Sequence, residues 1–291
     1  MKRWLRWFIC ALGLAGGVFT IASAIMAEHL IAPIPSRITW PSDSGVVPEE
    51  VTFSATDGVQ LKGWYLPQAH STHAVVLLHG VRANRDQMLA RALWLNAQGY
   101  NVLLYDARGC GESAPVLRSF GYYETRDLLG ALSWLQGHGI DKIGCVGCSQ
   151  GAATILLASG QLPPDIQAIV AEAPYATLQN TTDDHFRSYT HLPACYFGAL
   201  VIPFAEWKLG FREDAVSPLR EISNLKPALY LIGGTSDTLA PPSDIQKLYD
   251  AASVKKTLWM VPWARHTDFF SYAEAEYKQR IGDFLRKELG P

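Results

Sequence analysis

The stretch KIGCVGCSQGAATILLA, residues Lys142 to Ala158, decides the fold. Its first half is an apolar run of strand length, and its second half has the composition of a helix. Ser149 lies at the junction, with Gly147 and Gly151 two positions away on either side. A Gly-x-Ser-x-Gly turn between a strand and a helix strains the serine backbone and presents the hydroxyl as a nucleophile. The alternative is a strand that merely meets a helix through glycine, and the rest of the chain decides between the two.

Apolar runs of strand length recur on both sides of this stretch. The first two alternate with polar residues around TDGVQ, which predicts an antiparallel hairpin, whereas the later runs are continuous, as in strands covered on both faces. Helical periods separate the later runs. We therefore predict an α/β fold with a doubly wound, mostly parallel sheet of eight strands and helices on both faces. The eight runs are Val51–Ala55, Leu61–Leu66, Ala74–Leu78, Asn101–Asp106, Lys142–Cys148, Ala168–Glu172, Ala228–Ile232 and Thr257–Val261.

The N-terminus carries an uncharged run of membrane-spanning length, from Trp7 to Ala27. About 20 residues cross a bilayer as a helix. We favour an uncleaved anchor over residues 1–30, with its N-terminus cytoplasmic and the rest of the chain exported to the periplasm or beyond. A signal peptide is the alternative, because Ala22–Ala24 offers a small-x-small cleavage site, and the domain would then be secreted. The preceding positive charges are Lys2, Arg3 and Arg6.

The remaining chain divides into a linker and one domain. Residues 31–48 are rich in proline and predict an extended linker, and residues 49–291 form the α/β domain. Within it, residues 175–226 show no clear strand but many aromatic side chains, so we expect a small helical lid over the strand ends. The net charge is −2 with both signs scattered, which argues against nucleic acid as a partner.

Five motifs in order carry a family resemblance: VVLLHGVRANRDQM, NVLLYDARGCGES, GCSQG, LIGGTSDTLAPP and ARHTDFF. On these the chain resembles the α/β-hydrolase superfamily of serine hydrolases over roughly Val51 to Leu289. Within the superfamily it is similar to the membrane-anchored branch with a small lid, whose members are esterases, thioesterases, lysophospholipases or serine peptidases. The resemblance implies an eight-stranded, mostly parallel sheet and a nucleophile, acid and histidine in that order along the chain.

A serine needs a base to become nucleophilic, and a carboxylate must orient that base. After the lid the sequence offers one histidine, His266, which follows the last strand. For the acid we choose Asp237, in the loop after the strand ALYLI; Asp268 stays open as the alternative. Asp244 and Asp250 fall in the next helix, where surface or capping roles are expected. The predicted catalytic residues are therefore Ser149, Asp237 and His266.

The oxyanion hole requires two backbone N–H donors. One is expected from Gln150, next to the nucleophile, and the resemblance implies the other from Val81, after HG. Arg82, Asn84 and Arg85 follow; we expect surface charge from the arginines and a helix cap from Asn84. In YDARGCGES we expect a local ion pair between Asp106 and Arg108. Glu124 and Asp127 are expected on the polar side of a helix, either as solvated residues or as tethers of a neighbouring loop.

The cysteines raise a redox or zinc interpretation, because Cys145 and Cys148 form a C-x-x-C pattern. Three positions along a strand place two side chains on opposite faces, and no second pair with metal spacing accompanies them. We therefore expect buried free thiols, and neither a metal nor an organic cofactor.

The leading interpretation is a serine hydrolase that cleaves carboxylic esters or thioesters through an acyl-enzyme. Its partner would be a small-molecule or lipid-like acyl substrate, beside the membrane contacted through the N-terminal helix. A serine peptidase of the same fold is the second interpretation, with Asp183, Asp184 and Glu206 as candidates to bind a peptide terminus. The third is a binding protein that kept the fold without the activity. The sequence does not fix an oligomeric state.

Overall fold

The protein folds around one eight-stranded sheet, in a computed structural model that describes residues 2–180 and 201–290. The sheet order is β8-β7-β6-β5-β3-β4-β2-β1, and every neighbouring pair is parallel except those made by β2. The predicted α/β class, hairpin and mostly parallel sheet are thereby confirmed. The strands are β1 (Glu49–Ser54), β2 (Gln60–Leu66), β3 (His73–Leu78), β4 (Asn101–Tyr105), β5 (Lys142–Cys148), β6 (Ile166–Glu172), β7 (Ala228–Gly234) and β8 (Lys256–Val261).

Helices cover both faces of the sheet because the central strands are apolar on both sides. Side chains from α3 and α4 pack on one face, and side chains from α2 and α9 pack on the other. The parallel strands end at one common edge, the carboxyl edge, which carries Ser149. The helices are α1 (Lys2–Ile31), α2 (Leu89–Ala97), α3 (Glu124–Gly137), α4 (Gln150–Leu157), α5 (Ile202–Leu209), α6 (Pro218–Glu221), α7 (Pro242–Ala251), α8 (Phe269–Tyr272) and α9 (Glu274–Leu289).

Helix α1 projects an apolar segment from the domain. Its 25 residues from Trp7 to Ile31 include a stretch of 18 residues with a mean hydropathy of 2.1, so by length and composition the helix is able to cross a membrane. A signal sequence satisfies the same criteria, and the helix is therefore consistent with both alternatives raised by the sequence.

The predicted linker, residues 31–48, is extended but lies against the domain. Ile34 and Pro35 pair in parallel with Cys110 and Gly111 after β4. Further along, Trp40 packs edge-on against Trp64 of β2, with ring centroids 4.9 Å apart. The prolines prevent regular secondary structure, yet the apolar side chains between them still join the core. This segment is thus part of the domain surface rather than a free connection.

The expected lid falls only in part on described residues. Helices α5 and α6 and two short 3-10 turns occupy 201–226, and the chain between 175 and 180 follows β6. Residues 181–200 lie outside the described part, and with them Asp183, Asp184, His185, His191 and Cys195. The role of 175–226 as a lid stays a prediction.

Candidate active site

Ser149 occupies the sharp turn that its flanking glycines predict. Its backbone has φ 51° and ψ −113°, a conformation that L-residues rarely adopt. A Cβ on Gly147 would lie 2.5 Å from the nitrogen of Ala152, and one on Gly151 would lie 2.4 Å from the carbonyl oxygen of Leu78. Glycine is therefore required on both sides because backbone, which cannot move aside easily, fills the space of a side chain.

The three predicted catalytic side chains meet at the carboxyl edge. His266 Nε2 lies 3.0 Å from Ser149 Oγ, and His266 Nδ1 lies 2.9 Å from Asp237 Oδ2. A carboxylate only accepts hydrogen bonds, so Nδ1 carries the proton and Nε2 is free to accept one from the serine. The side chain of Asp237 is fully buried, while that of His266 is 25% exposed. The group of three side chains is therefore open to solvent on the side of His266.

Backbone amides hold Asp237 in place. Its Oδ1 accepts hydrogen bonds from the N–H groups of Leu239 and Ala240, at 2.8 and 2.9 Å. This turn after β7 fixes one carboxylate oxygen and leaves Oδ2 for the imidazole. The contact between Asp237 and His266 agrees with the expectation from the sequence.

The two expected oxyanion donors flank Ser149 on separate elements. Gln150 is the first residue of α4, where helical N–H groups have no partner inside the helix. Val81 follows Gly80, whose Cβ position would lie 3.5 Å from Ser149 Cβ. The loop after β3 thus passes directly beside Ser149. Both donors remain predictions, supported by this proximity.

His79, just before that loop, is a buried neutral imidazole. Its Nε2 accepts a hydrogen bond from the Ala107 N–H at 3.0 Å, and its Nδ1 lies 2.8 Å from the Gly80 carbonyl oxygen, to which it donates. Burial lowers the pKa of His79 below the ordinary histidine value. The side chain ties the loop after β4 to the loop that carries Val81.

A buried ion cluster beneath the turn escaped the sequence analysis. Arg91 of α2 donates to both oxygens of Glu172, at 3.0 and 2.6 Å, and also pairs with Asp268. The Tyr277 hydroxyl donates to Glu172 at 2.5 Å. Burial disfavours the charge on Arg91, but the Glu172 carboxylate outweighs it and holds the pKa of Arg91 well above its usual range.

This cluster links Ser149 to the loop that carries His266. The Ser149 N–H donates to the Glu172 carbonyl oxygen at 2.7 Å, and Asp268 is two residues from His266. A signal for the cluster existed in the sequence, because Arg91 occupies the same helical face as Met88, Ala92 and Leu95. Asp268 therefore pairs with Arg91 and caps α8, and it does not contact the imidazole as the alternative acid would require.

The expected ion pair between Asp106 and Arg108 is wrong. Asp106 accepts hydrogen bonds from the backbone and side chain of Arg85, at 2.7 and 2.9 Å. Arg108 instead pairs with Asp127 at 2.7 Å and with Asp57 at 2.8 Å. Arg85 is consequently buried, not on the surface as expected, because it supplies the charge that Asp106 needs inside the protein. Asp127 is buried as a loop tether, which was one of its two expected roles.

Glu124 is buried, and of its two expected roles it has that of a loop tether. It accepts hydrogen bonds from the N–H groups of Ser119 and Gly121, both at 2.8 Å, and from the Ser119 hydroxyl. It thereby closes the turn that precedes α3. The cap expected from Asn84 is confirmed, since its side chain accepts a hydrogen bond from the Asp86 N–H at 2.9 Å.

The cysteines of the C-x-x-C pattern lie on opposite faces of the sheet. Cys145 packs in the apolar cluster of α3 and α4, and Cys148 packs in the cluster of α2 and α9. Both are free, and burial raises the pKa of Cys148 to about 12. Within residues 2–180 and 201–290, no group of three or more His, Cys, Asp or Glu side chains is arranged to hold a metal ion.

The other candidate carboxylates have local structural partners. Asp244 is buried in the first turn of α7 and pairs with Lys247 at 2.9 Å. Glu206 of α5 accepts a hydrogen bond from the Glu213 N–H at 2.7 Å, which closes the turn after that helix. Asp250 accepts a hydrogen bond from Gln246 at 2.8 Å on the surface of α7.

Comparisons with known proteins agree with this architecture. Residues 73–217 match the family described as α/β hydrolase fold. An esterase of Pyrococcus furiosus, Pf2001, superposes with a TM-score of 0.76 at 28% identity, over 89% of this chain and 99% of the esterase.

Two relatives by sequence extend the comparison. The YqkD protein of Bacillus subtilis is 27% identical over 231 residues, 78% of this chain and 76% of YqkD. The lysophosphatidylserine lipase ABHD12 of Danio rerio is 27% identical over 242 residues, which cover 77% of this chain and 61% of the lipase. From its sheet, its turn at Ser149 and these similarities, the chain has the α/β-hydrolase fold.

Proposed function

We propose that the chain is a serine hydrolase that cleaves carboxylic esters or thioesters through an acyl-enzyme. The fold and the similarity to an esterase and a lipase support a hydrolase of esters in general. The observation that carries the finer proposal is the continuous hydrogen-bonded path from Ser149 Oγ through His266 to Asp237.

The proposed mechanism has two acyl-transfer steps. His266 Nε2 takes the proton of Ser149 Oγ as this oxygen bonds to the substrate carbonyl carbon. The N–H groups of Val81 and Gln150 stabilise the negative oxygen of the tetrahedral intermediate. His266 then gives the proton to the leaving alcohol or thiol. In the second step His266 takes a proton from water as the water oxygen bonds to the acyl carbon, and it returns that proton to Ser149 Oγ as the acyl group leaves.

Asp237 serves the mechanism by orientation and charge. Because Leu239 and Ala240 hold one oxygen, the other stays aligned with Nδ1 and stabilises the imidazolium that forms during each step. The strained Ser149 backbone keeps the hydroxyl on the open side of the turn.

Lipid-like acyl substrates are the class we favour. An apolar helix of membrane-spanning length lies at the N-terminus, and one relative is a lysophosphatidylserine lipase. In the proposed topology α1 stays uncleaved, its N-terminus is cytoplasmic, and the hydrolase domain is exported. Protease treatment of intact spheroplasts should therefore degrade the domain, and protection would contradict this topology.

A fluorophosphonate probe tests the nucleophile directly. The full chain should be labelled, and Ser149→Ala should abolish labelling. Ser133→Ala is the matched control, because Ser133 is exposed on α3, and it should label like the wild type. Equal labelling of Ser149→Ala and wild type would reject the proposal.

Asp237→Asn tests the acid. The change removes the carboxylate that selects the Nδ1–H tautomer, so kcat should fall on the order of 10³–10⁴-fold. Asp244→Asn is the control, because Asp244 is buried in the first turn of α7, where it pairs with Lys247 and not with His266. Comparable losses in the two variants would remove the assigned role of Asp237.

A panel of acyl esters, acyl thioesters and aminoacyl amides with graded chain lengths tests the substrate class. We expect turnover of esters or thioesters to exceed turnover of amides. Amide turnover alone would support the serine peptidase instead. Probe labelling of Ser149 without any turnover across the panel would reject the ester substrate class.

A further inference from the structure

Helices α1 and α5 pack against each other along matched stripes. Ala27 and Ile31 of α1 share a small apolar cluster with Ala205 and Leu209 of α5 and with Val201, the residue just before α5. Positions four residues apart lie on one helical face, so each helix contributes a single stripe. Ala27 and Ala205 are small, which lets the two backbones approach closely. Helix α5 is thus fixed to the end of the apolar segment.

Polar contacts make this junction rigid. Lys208 of α5 pairs with Glu28 of α1 at 2.9 Å. Arg118, which is buried, donates to the carbonyl oxygens of Leu30 and Ala32, at 2.6 and 2.8 Å. These carbonyls close the C-terminal end of α1, where helices leave acceptors unpaired. These contacts hold the domain against the C-terminal end of α1.

The junction lies at the carboxyl edge of the sheet. The Tyr123 hydroxyl donates to the Leu209 carbonyl oxygen at 2.9 Å, and Tyr123 stands between the end of β4 and α3. The chain after α1 pairs with Cys110 and Gly111, which also follow β4. Ser149 and His266 occupy the same edge of the sheet.

The length of α1 places this junction at the level of the lipid headgroups. A hydrocarbon core of about 30 Å takes about 20 residues, which extend from Trp7 to about Met26. The following residues, Ala27 to Ile31, then lie in the headgroup region, and α5 lies beside them. Ser23, one turn before Ala27 on the same face, is buried as well.

Two exposed tryptophans stand on this edge. Trp207 of α5 is 76% exposed, and Trp263, in the loop between β8 and His266, is 82% exposed. All tryptophans outside α1 lie in the described part of the chain, and only these two of them are exposed. Tryptophan side chains prefer the interface between lipid and water, where the ring is desolvated and the N–H still finds a partner.

We propose that the carboxyl edge, with α5 and the Trp263 loop, rests on the phospholipid bilayer that α1 spans. Trp207 and Trp263 sit among the headgroups, and an acyl substrate in that leaflet reaches Ser149 without passing through bulk water. This inference rests on the proposed anchoring by α1 and extends the proposed function to the side from which substrate enters. Covalent continuity with α1 identifies the bilayer, not a soluble protein, as the occupant of this edge.

The test measures depth by fluorescence in reconstituted full-length protein. Trp207→Cys and Trp263→Cys are made in a background with Cys10→Ser and Cys195→Ser, and each carries an environment-sensitive dye. Gln98→Cys is the matched control, because Gln98 is exposed at the opposite edge, between α2 and the start of β4. The vesicles contain phosphatidylcholine and phosphatidylglycerol, with a nitroxide lipid or with iodide in the water as quencher.

We expect lipid nitroxide to quench the dye at 207 and 263 at least threefold more than at 98, and iodide to show the reverse order. Equal iodide quenching at all three positions would place the edge in water and overturn the proposal. Protection from iodide without lipid quenching would indicate a protein contact and overturn it as well. A dye at Ile21→Cys reports separately whether α1 is inserted, and fluorophosphonate labelling of the same samples reports on Ser149.

Discussion

Replacing Arg91 by methionine should destabilise the protein more than any loss of surface charge. The guanidinium is 1% exposed and the Glu172 carboxylate is fully buried. Methionine fills much of the space of arginine but offers no charge and no donor. Among the described residues, Glu172 would keep only the Tyr277 hydroxyl as a side-chain partner, so a nearly bare negative charge would remain inside the protein.

The magnitude follows from the asymmetry of buried ion pairs. An intact pair contributes little net stability, whereas removing one partner costs about 3–5 kcal/mol because the other charge is left uncompensated. We expect Arg91→Met to lose stability in that range. The double variant Arg91→Met, Glu172→Gln removes both charges, and it should recover at least half of the loss.

Urea unfolding of the detergent-solubilised full chain, followed by circular dichroism, measures this difference. Arg286→Met is the matched control, because Arg286 and its partner Asp283 are 55% and 62% exposed. Exposed pairs contribute about 0–1 kcal/mol, so the control should change little.

Two results would refute this reasoning. A loss below about 1 kcal/mol in Arg91→Met would mean that Glu172 finds another partner or water. A double variant at least as unstable as Arg91→Met would mean that packing, and not the unpaired carboxylate, determines the loss.

Three further predictions test the surroundings of Ser149. Gly151→Ala places a Cβ 2.4 Å from a carbonyl oxygen at the end of β3. Urea unfolding should therefore show a loss of about 1–3 kcal/mol in the free energy of unfolding, and fluorophosphonate labelling should fall. Gly137→Ala, which has open space around it, should change neither measurement. Because burial lowers the pKa of His79 in the folded protein, this histidine is protonated at a higher pH in the unfolded chain than in the folded one. The free energy of unfolding of the wild type should therefore fall as the pH drops below about 6.5, and it should fall less in His79→Gln. Urea unfolding at several pH values measures this difference. Burial raises the thiol pKa of Cys145 and Cys148, so mass spectrometry after iodoacetamide at pH 8 should find both unmodified in native protein and modified in urea; native modification would contradict their burial.

Much of the fold was predictable because its signals are local. All eight strands appear near their expected positions, since continuous apolar runs between helical periods have few other solutions in an α/β protein. The turn at Ser149 was equally predictable, because only glycine at 147 and 151 tolerates the backbone contacts found there. Local spacing thus predicts both the sheet and the turn at Ser149.

The ion pairs were not predictable because they join residues far apart in sequence. Asp106 and Arg108 are two positions apart, yet each pairs with a residue on another element. Glu124 and Asp127 look like solvated helix residues until the loops that fold over them are known. Which charges meet inside a protein depends on which loops become neighbours, and a single sequence does not specify that.

The buried arginines have one feature in common that bears on the chemistry. Each of Arg85, Arg91 and Arg108 joins a loop or strand end at the carboxyl edge to a neighbouring element. Apolar side chains of similar volume would hold these elements together at equal or lower cost in stability, because burying a charge is expensive. Apolar contacts, however, permit small sliding movements, whereas a bidentate ion pair fixes both distance and angle. In the proposed mechanism the proton transfer through His266 needs that accuracy, so we interpret the charge network beneath Ser149 as preorganisation of this edge for the proposed reaction rather than as a source of stability.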